Sequence, residues 1–126
     1  MRIPIYFLFG LMLSACSTIN NEIENEKKFF KILTPVEWQS FQKTKTFTGS
    51  ALDHQDGFIH LSLSHQWNKT WQKFFNDKEC YLLEIDATKL NSEYLKIEAN
   101  RAGGEQYPHY YGSISFEAIL KTTSLP

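Results

Sequence analysis

A chain of 126 residues, 42% hydrophobic and 15% aromatic, has room for one domain with a single core and not for two. Thirteen Lys and Arg, Arg2 among them, stand against fourteen Asp and Glu, which leaves no long-range field to draw in nucleic acid or anionic lipid by bulk charge. Two cysteines, Cys16 and Cys80, make no disulfide framework, and no Cys-x-x-Cys or paired-histidine spacing offers a metal site.

The first stretch, "MRIPIYFLFGLMLSAC", has a basic Arg2, an apolar run from Ile3 to Leu13 and small residues before Cys16, the layout of a secretory signal peptide over 1–15. The run is shorter than the roughly 20 apolar residues a membrane-spanning helix needs. "LSAC" resembles a bacterial lipobox, which implies that Cys16 is lipidated at its sulfur and opens the mature chain. Several acyl chains then hold the protein on a membrane, each buried methylene contributing about 0.8 kcal/mol. The alternative is an ordinary cleaved signal with an incidental cysteine. Ser17, rather than Asp, follows the cysteine, as in lipoproteins delivered to an outer membrane, so the expected location is the cell envelope, lipid-anchored, at the outer membrane. Residues 16–28 are polar and rich in Asn and Glu, and read as a tether that cannot order itself by burying apolar surface. The domain proper is expected over 29–126.

"FFKIL" predicts a buried strand, and "TPVEWQSFQKT" a helix whose start is set by a Thr34/Glu37 capping box with Pro35 at its first position. "KTFTGSALDHQDG" reads as a loop. "FIHLS" alternates, with Phe58, His60 and Ser62 on one side and Ile59 and Leu61 on the other. If Ile59 and Leu61 face the core, His60 and Ser62 face a cleft or solvent; a doubly covered strand would instead bury His60 in a hydrogen-bonded pair. "SHQWNKTWQKFF" spaces Trp67, Trp71, Phe74 and Phe75 as one helical stripe, expected in the core, behind a cap at Ser62 or Ser64. "CYLLEIDATKL" predicts a strand opened by a buried, inert Cys80. "EYLKIEA" predicts another strand, "NRAGGEQYPHYYG" a long loop and "SFEAILKTTSL" a last strand. The order does not alternate as a doubly wound parallel sheet requires; the expected class is α+β, with a small mixed or antiparallel sheet and two main helices.

Polar chemistry gathers in "DGFIHLS" and "EANRAGGEQYPHYYG". Arg101, the sole arginine after Arg2, is a natural partner for phosphate or carboxylate, and Gly103 and Gly104 would admit a ligand close to the backbone. A solvated pair with Glu98 or Glu105 is the competing reading. His109 follows Pro108 and, with His60, could frame a site in which one imidazole binds and the other moves a proton; a structural pair is the alternative. His54 and His65 read as surface residues. The binding candidates are therefore His60, Ser62, Arg101, His109 and Tyr111, and the catalytic candidates Glu98 and Glu105. No nucleophile elbow, phosphate-binding loop or dinucleotide fingerprint is present.

"FFKILTPVEW", "GSALDHQDGFIHLS", "LLEID" and "YPHYYG", in this order, resemble the bacterial domain-of-unknown-function family numbered 952, over about residues 29 to 122. The resemblance implies a fold like that of the ADP-ribosyltransferases, a split sheet with a cleft for a nicotinamide dinucleotide. It further implies that "GFIHLS" is the strand holding the ribose, with His60 on the sugar, Ser62 beside it, and a later acid to stabilise positive charge at the anomeric carbon. Two functions remain open at this point: a ligand-binding domain with a nucleotide-like or phosphate-bearing ligand and ADP-ribosyl transfer as its sharper form, and a non-enzymatic binding or scaffold lipoprotein of the envelope.

Overall fold

The computed structural model describes residues 27–126. The signal peptide expected over 1–15, Cys16 and nearly all of the tether over 16–28 lie outside the described residues. Strand β1 (Lys28–Leu33) opens the domain, and helix α1 (Pro35–Thr44) follows where the capping box predicts it. The Thr34 hydroxyl accepts from the Glu37 backbone N–H at 3.2 Å, and the Glu37 carboxylate accepts from the Thr34 N–H at 2.9 Å, so two donors of the first turn are met.

The segment expected as a loop over 45–57 instead holds a two-residue strand β2 (Thr46–Phe47) and a short helix α2 (Ala51–Asp56). Ser50 and Asp53 form a second capping box, and Gly57 ends the helix in the left-handed region at φ 87°. Strand β3 (Ile59–His60) leads into helix α3 (Trp67–Phe74), which starts at Gln66 without a side-chain cap rather than at Ser62 or Ser64. The Gln66 carboxamide is used elsewhere, accepting from the Leu63 N–H and donating to the Gln106 carbonyl. Strands β4 (Cys80–Asp86), β5 (Leu95–Ala99), β6 (Gln106–Tyr110), β7 (Ile114–Ser115) and β8 (Ile119–Leu125) complete the chain.

The strands form an antiparallel sheet of order β1-β4-β8, a second of order β3-β6-β5, and a β2-β7 ribbon, so the class is α+β as expected. β6 lies in the stretch expected as a long loop. Pro108 sits in this central strand, where its missing donor would face β3; its carbonyl still accepts from Leu61 N–H at 2.9 Å. The first sheet is covered on both faces. Phe29, Leu33, Leu83 and Ile85 join Phe41 of α1, Ile59 and Leu61 in the main core, while Phe30, Ile32, Cys80 and Leu82 meet Trp67, Trp71 and Phe75 from α3. Phe74, expected in that stripe, is 54% exposed. Its position at the end of α3 turns it away from the sheet and toward an open recess.

Candidate functional site

The two three-stranded sheets meet at one isolated bridge, where Phe30 and Ser62 exchange backbone hydrogen bonds of 2.8 and 2.9 Å. Backbone groups of successive strand residues point to opposite edges, so those of Ile32 and His60 also face this seam. No bridge joins these two: β1 and β3 have parted. The Asp53 carboxylate stands in the gap, delivered by the first turn of α2. Its Oδ1 accepts from the His60 N–H at 3.1 Å, from His60 Nδ1 at 2.6 Å and from Lys31 Nζ at 3.0 Å. Its Oδ2 takes Ser50 N–H at 2.8 Å and lies 2.9 Å from Lys31 Nζ.

Asp53 is 2% exposed. Burial alone would raise its carboxyl, but the His60 ring, Lys31 and the Ser50 N–H together outweigh that and hold it well below the usual carboxylate range. An ionised carboxylate only accepts, so His60 Nδ1 is the donor. Its Nε2 then faces Asp56 Oδ2 at 2.9 Å, a contact that the doubly protonated ring can make as a donor and the Nδ1–H tautomer cannot. Lys31 shows the opposite balance. Burial lowers its ammonium from the ordinary lysine value against the pull of Asp53 and, more weakly, of Glu37.

Where the strands part, a cavity of about 720 Å³ opens. Phe30, Ile32, Leu61, Phe74 and Phe75 give it apolar walls; Lys31, Asp53, Asp56, His60 and Ser62 line its floor; Lys69, Lys73 and Glu105 stand among its polar lining. A recess that combines apolar walls with convergent polar groups is a common form of small-molecule site, and here the polar groups are numerous. Glu105 is tied to Lys69 at 2.7 Å and to Tyr107 at 3.1 Å; Lys69, then Gln66 and Tyr107, hold its carboxyl below the usual range.

The sequence-predicted residues divide. His60, Ser62 and Glu105 come together in the cleft. His109 is directly opposite His60 in the β3–β6 register with ring centroids 5.7 Å apart, but it is fully buried beneath the Phe58 ring at 3.9 Å and does not line the cleft. Its Nδ1 pairs with Glu98 at 2.9 Å, and its Nε2 has no partner among the described residues. Glu98 is also bound by the Tyr111 hydroxyl, first Tyr111 and then His109 holding its carboxyl low. Arg101 is exposed in the turn before β6, outside the cleft, and makes no ion pair with Glu98 or Glu105. Tyr111 lines a second cavity, of about 280 Å³, whose lining also includes Asp53. The expectation that Arg101, His109 and Tyr111 share the cleft with His60 does not match this placement: the register puts His109 and Tyr111 on the same sheet face as His60, but the Phe58 ring lies against both, and the β5–β6 turn carries Arg101 away. Lys31, Asp53 and Asp56 are the site residues that sequence reasoning missed, although Ser50-x-x-Asp53 carried the same capping signal as Thr34-x-x-Glu37.

The family model for "Protein of unknown function (DUF952)" matches residues 32–122. The chain belongs to the DUF952 family. Its DUF952 domain is similar to protein CC0527 from Caulobacter crescentus, whose crystal structure superposes with a TM-score of 0.72 at 36% identity over 79% of this chain and 86% of that one. The solution NMR structure of CC0527 gives a TM-score of 0.68 at 37% identity, over 77% of this chain and 83% of that one. None of the curated proteins matches. The DUF952 fold thus sets the cleft, and the chemistry must be argued from its residues.

Proposed function

We propose that this DUF952 domain binds a nucleotide-like or other phosphate-bearing small molecule in the cleft between its sheets. The observation that carries the reading is His60, fixed through Nδ1 by a buried carboxylate and presenting the edge of its Nε2–Asp56 pair to a recess of about 720 Å³ with apolar walls. A base or nicotinamide ring suits walls of Phe30, Phe74 and Leu61, and hydroxyl groups suit the His60–Asp56 pair. Lys73, which has no carboxylate partner among the described ion pairs, offers a charge for phosphate, a role the sequence suggested for Arg101. ADP-ribosyl transfer is the sharper form of the reading. The carboxylate needed beside a developing sugar cation would then come from Asp56 or Glu105, which line the cleft, and not from Glu98, which does not. The same proposal holds Cys16 to be lipidated and the domain to be anchored at the envelope face of a membrane.

Calorimetric titration of the protein with nicotinamide dinucleotide and with ADP-ribose, beside His60→Ala, tests the ligand. Saturable binding lost in the variant supports it; no heat from folded wild type sinks it and favours a non-enzymatic scaffold. For the anchor, Cys16→Ser should move the protein out of the membrane fraction and abolish the mass added by acyl chains; an unchanged distribution refutes lipidation.

A further inference from the structure

Lys31 is the buried amine that nucleotide binding leaves unused. Its Nζ lies 3.0 and 2.9 Å from the two oxygens of Asp53, its side chain is 10% exposed, and it lines the cleft floor. Around it stand the Asp53 carboxylate from α2, Glu37 from α1 at longer range and the face of Phe47 from β2, 6.0 Å from Nζ to the ring centroid. Asp53 is shared among Lys31, both donors of His60 and the Ser50 N–H, so its charge is only partly available to the ammonium. A desolvated amine with a positioned acid–base group beside it is the arrangement that activates lysine as a nucleophile.

We propose that Lys31 is a carbonyl-capturing amine: an aldehyde or ketone entering the cleft condenses with Nζ to an imine and releases water. In the first step the nitrogen lone pair forms the C–N bond, the carbonyl pair moves to oxygen, and one proton passes from nitrogen to that oxygen. In the second the C–O bond breaks, the C=N bond forms from the nitrogen pair, and water leaves with a proton lost from nitrogen. Nothing is oxidised or reduced. His60, held through Nδ1 on the same Asp53 oxygen as Lys31, gives its Nε2 proton to the substrate oxygen in each step and then recovers one from nitrogen. Burial assists, because each unit by which an amine is lowered multiplies its neutral fraction near neutral pH about tenfold. This inference concerns the cleft alone and does not require a nucleotide there.

The test is reductive trapping on the full chain. Wild-type protein is treated near neutral pH with glycolaldehyde and sodium cyanoborohydride, and alkylation of each lysine is followed by peptide mass spectrometry. Lys31 should be alkylated at least about tenfold faster than the exposed Lys43 and Lys121. His60→Gln should bring the Lys31 rate down to theirs while leaving theirs unchanged. A Lys31 rate equal to or below that of the exposed lysines overturns the proposal, and because that comparison is made within the wild-type chain, a poorly folded variant cannot obscure it. Fast labelling of Lys31 in a protein that ignores ADP-ribose would keep this inference and remove the nucleotide reading.

Discussion

Replacing Asp53 by alanine should cost this domain a large part of its stability. The change leaves the Lys31 ammonium buried without a carboxylate and strips partners from the His60 N–H, His60 Nδ1 and Ser50 N–H. Breaking a buried ion pair from one side costs about 3–5 kcal/mol, and each donor left dry adds up to about 1–3 kcal/mol. Water entering from the cleft relieves some of these, so about 4 kcal/mol is expected for Asp53→Ala and about 2 kcal/mol for Asp53→Asn, which keeps one acceptor. Domains are stable by only about 5–15 kcal/mol. Urea unfolding followed by the fluorescence of Trp38, Trp67 and Trp71, which pack on both cores, reads the loss directly. The pH dependence has a definite sign. The folded carboxyl lies below its unfolded value of about 4, so its contribution is complete above that value and fades as pH falls toward the folded one. The gap between wild type and Asp53→Asn should be constant from neutral down to about pH 5 and narrow in stronger acid. A loss below about 1 kcal/mol for Asp53→Ala with an unchanged m-value would mean that water serves these donors as well as Asp53 does, and would refute the reasoning.

Two glycines flank the same helix with different consequences. Gly57 has φ 87° and open space where a Cβ would stand, so Gly57→Ala should cost about 1 kcal/mol from backbone strain. Gly49, at φ 123°, would place a Cβ 2.9 Å from that of Asp53, so Gly49→Ala should cost about 2 kcal/mol or more; equal losses in urea would contradict the geometry. Phe41 is 1% exposed within the Trp38, Phe47 and Phe116 rings, and Phe41→Ala should cost about 3–5 kcal/mol in the same assay. Glu105→Gln, on an exposed ion pair with Lys69, should change stability by less than about 1 kcal/mol; a larger effect would make that pair a structural strut of the cleft.

The parts of the fold readable from sequence were those with a strong local period or a strong cap. Thr34, Pro35 and Glu37 announce α1, and the Trp67–Trp71–Phe75 spacing announces α3, because these signals sit within one or two turns of chain. Helix α2 escaped because six residues carry too little apolar periodicity to stand out between Gly49 and Gly57, even though its cap is spelled out. Strand β6 escaped because Pro108 and the preceding glycines argue for a loop, whereas β3 and β5 on either side impose the strand. At the site, alternation correctly sent His60 and Ser62 away from Ile59 and Leu61. Nothing local could say that His109 lands opposite His60, since that register depends on two strands 49 positions apart, nor that Lys31 reaches Asp53 across 22 positions.

Strands that separate within a domain cannot leave their inner amides dry, so a mouth between two sheets has to be braced by a side chain. Here one carboxylate serves as that brace, and the short spacing between the cap serine, the aspartate and the histidine means the brace travels with the strand it supports. The pattern Ser-x-x-Asp-x6-His, spanning Ser50 to His60, is therefore a signature of an opening, whatever chemistry that opening serves. Chains that keep the histidine but exchange the aspartate for an apolar residue should have closed this mouth, with the histidine backbone paired to the first strand and no recess left for a ligand.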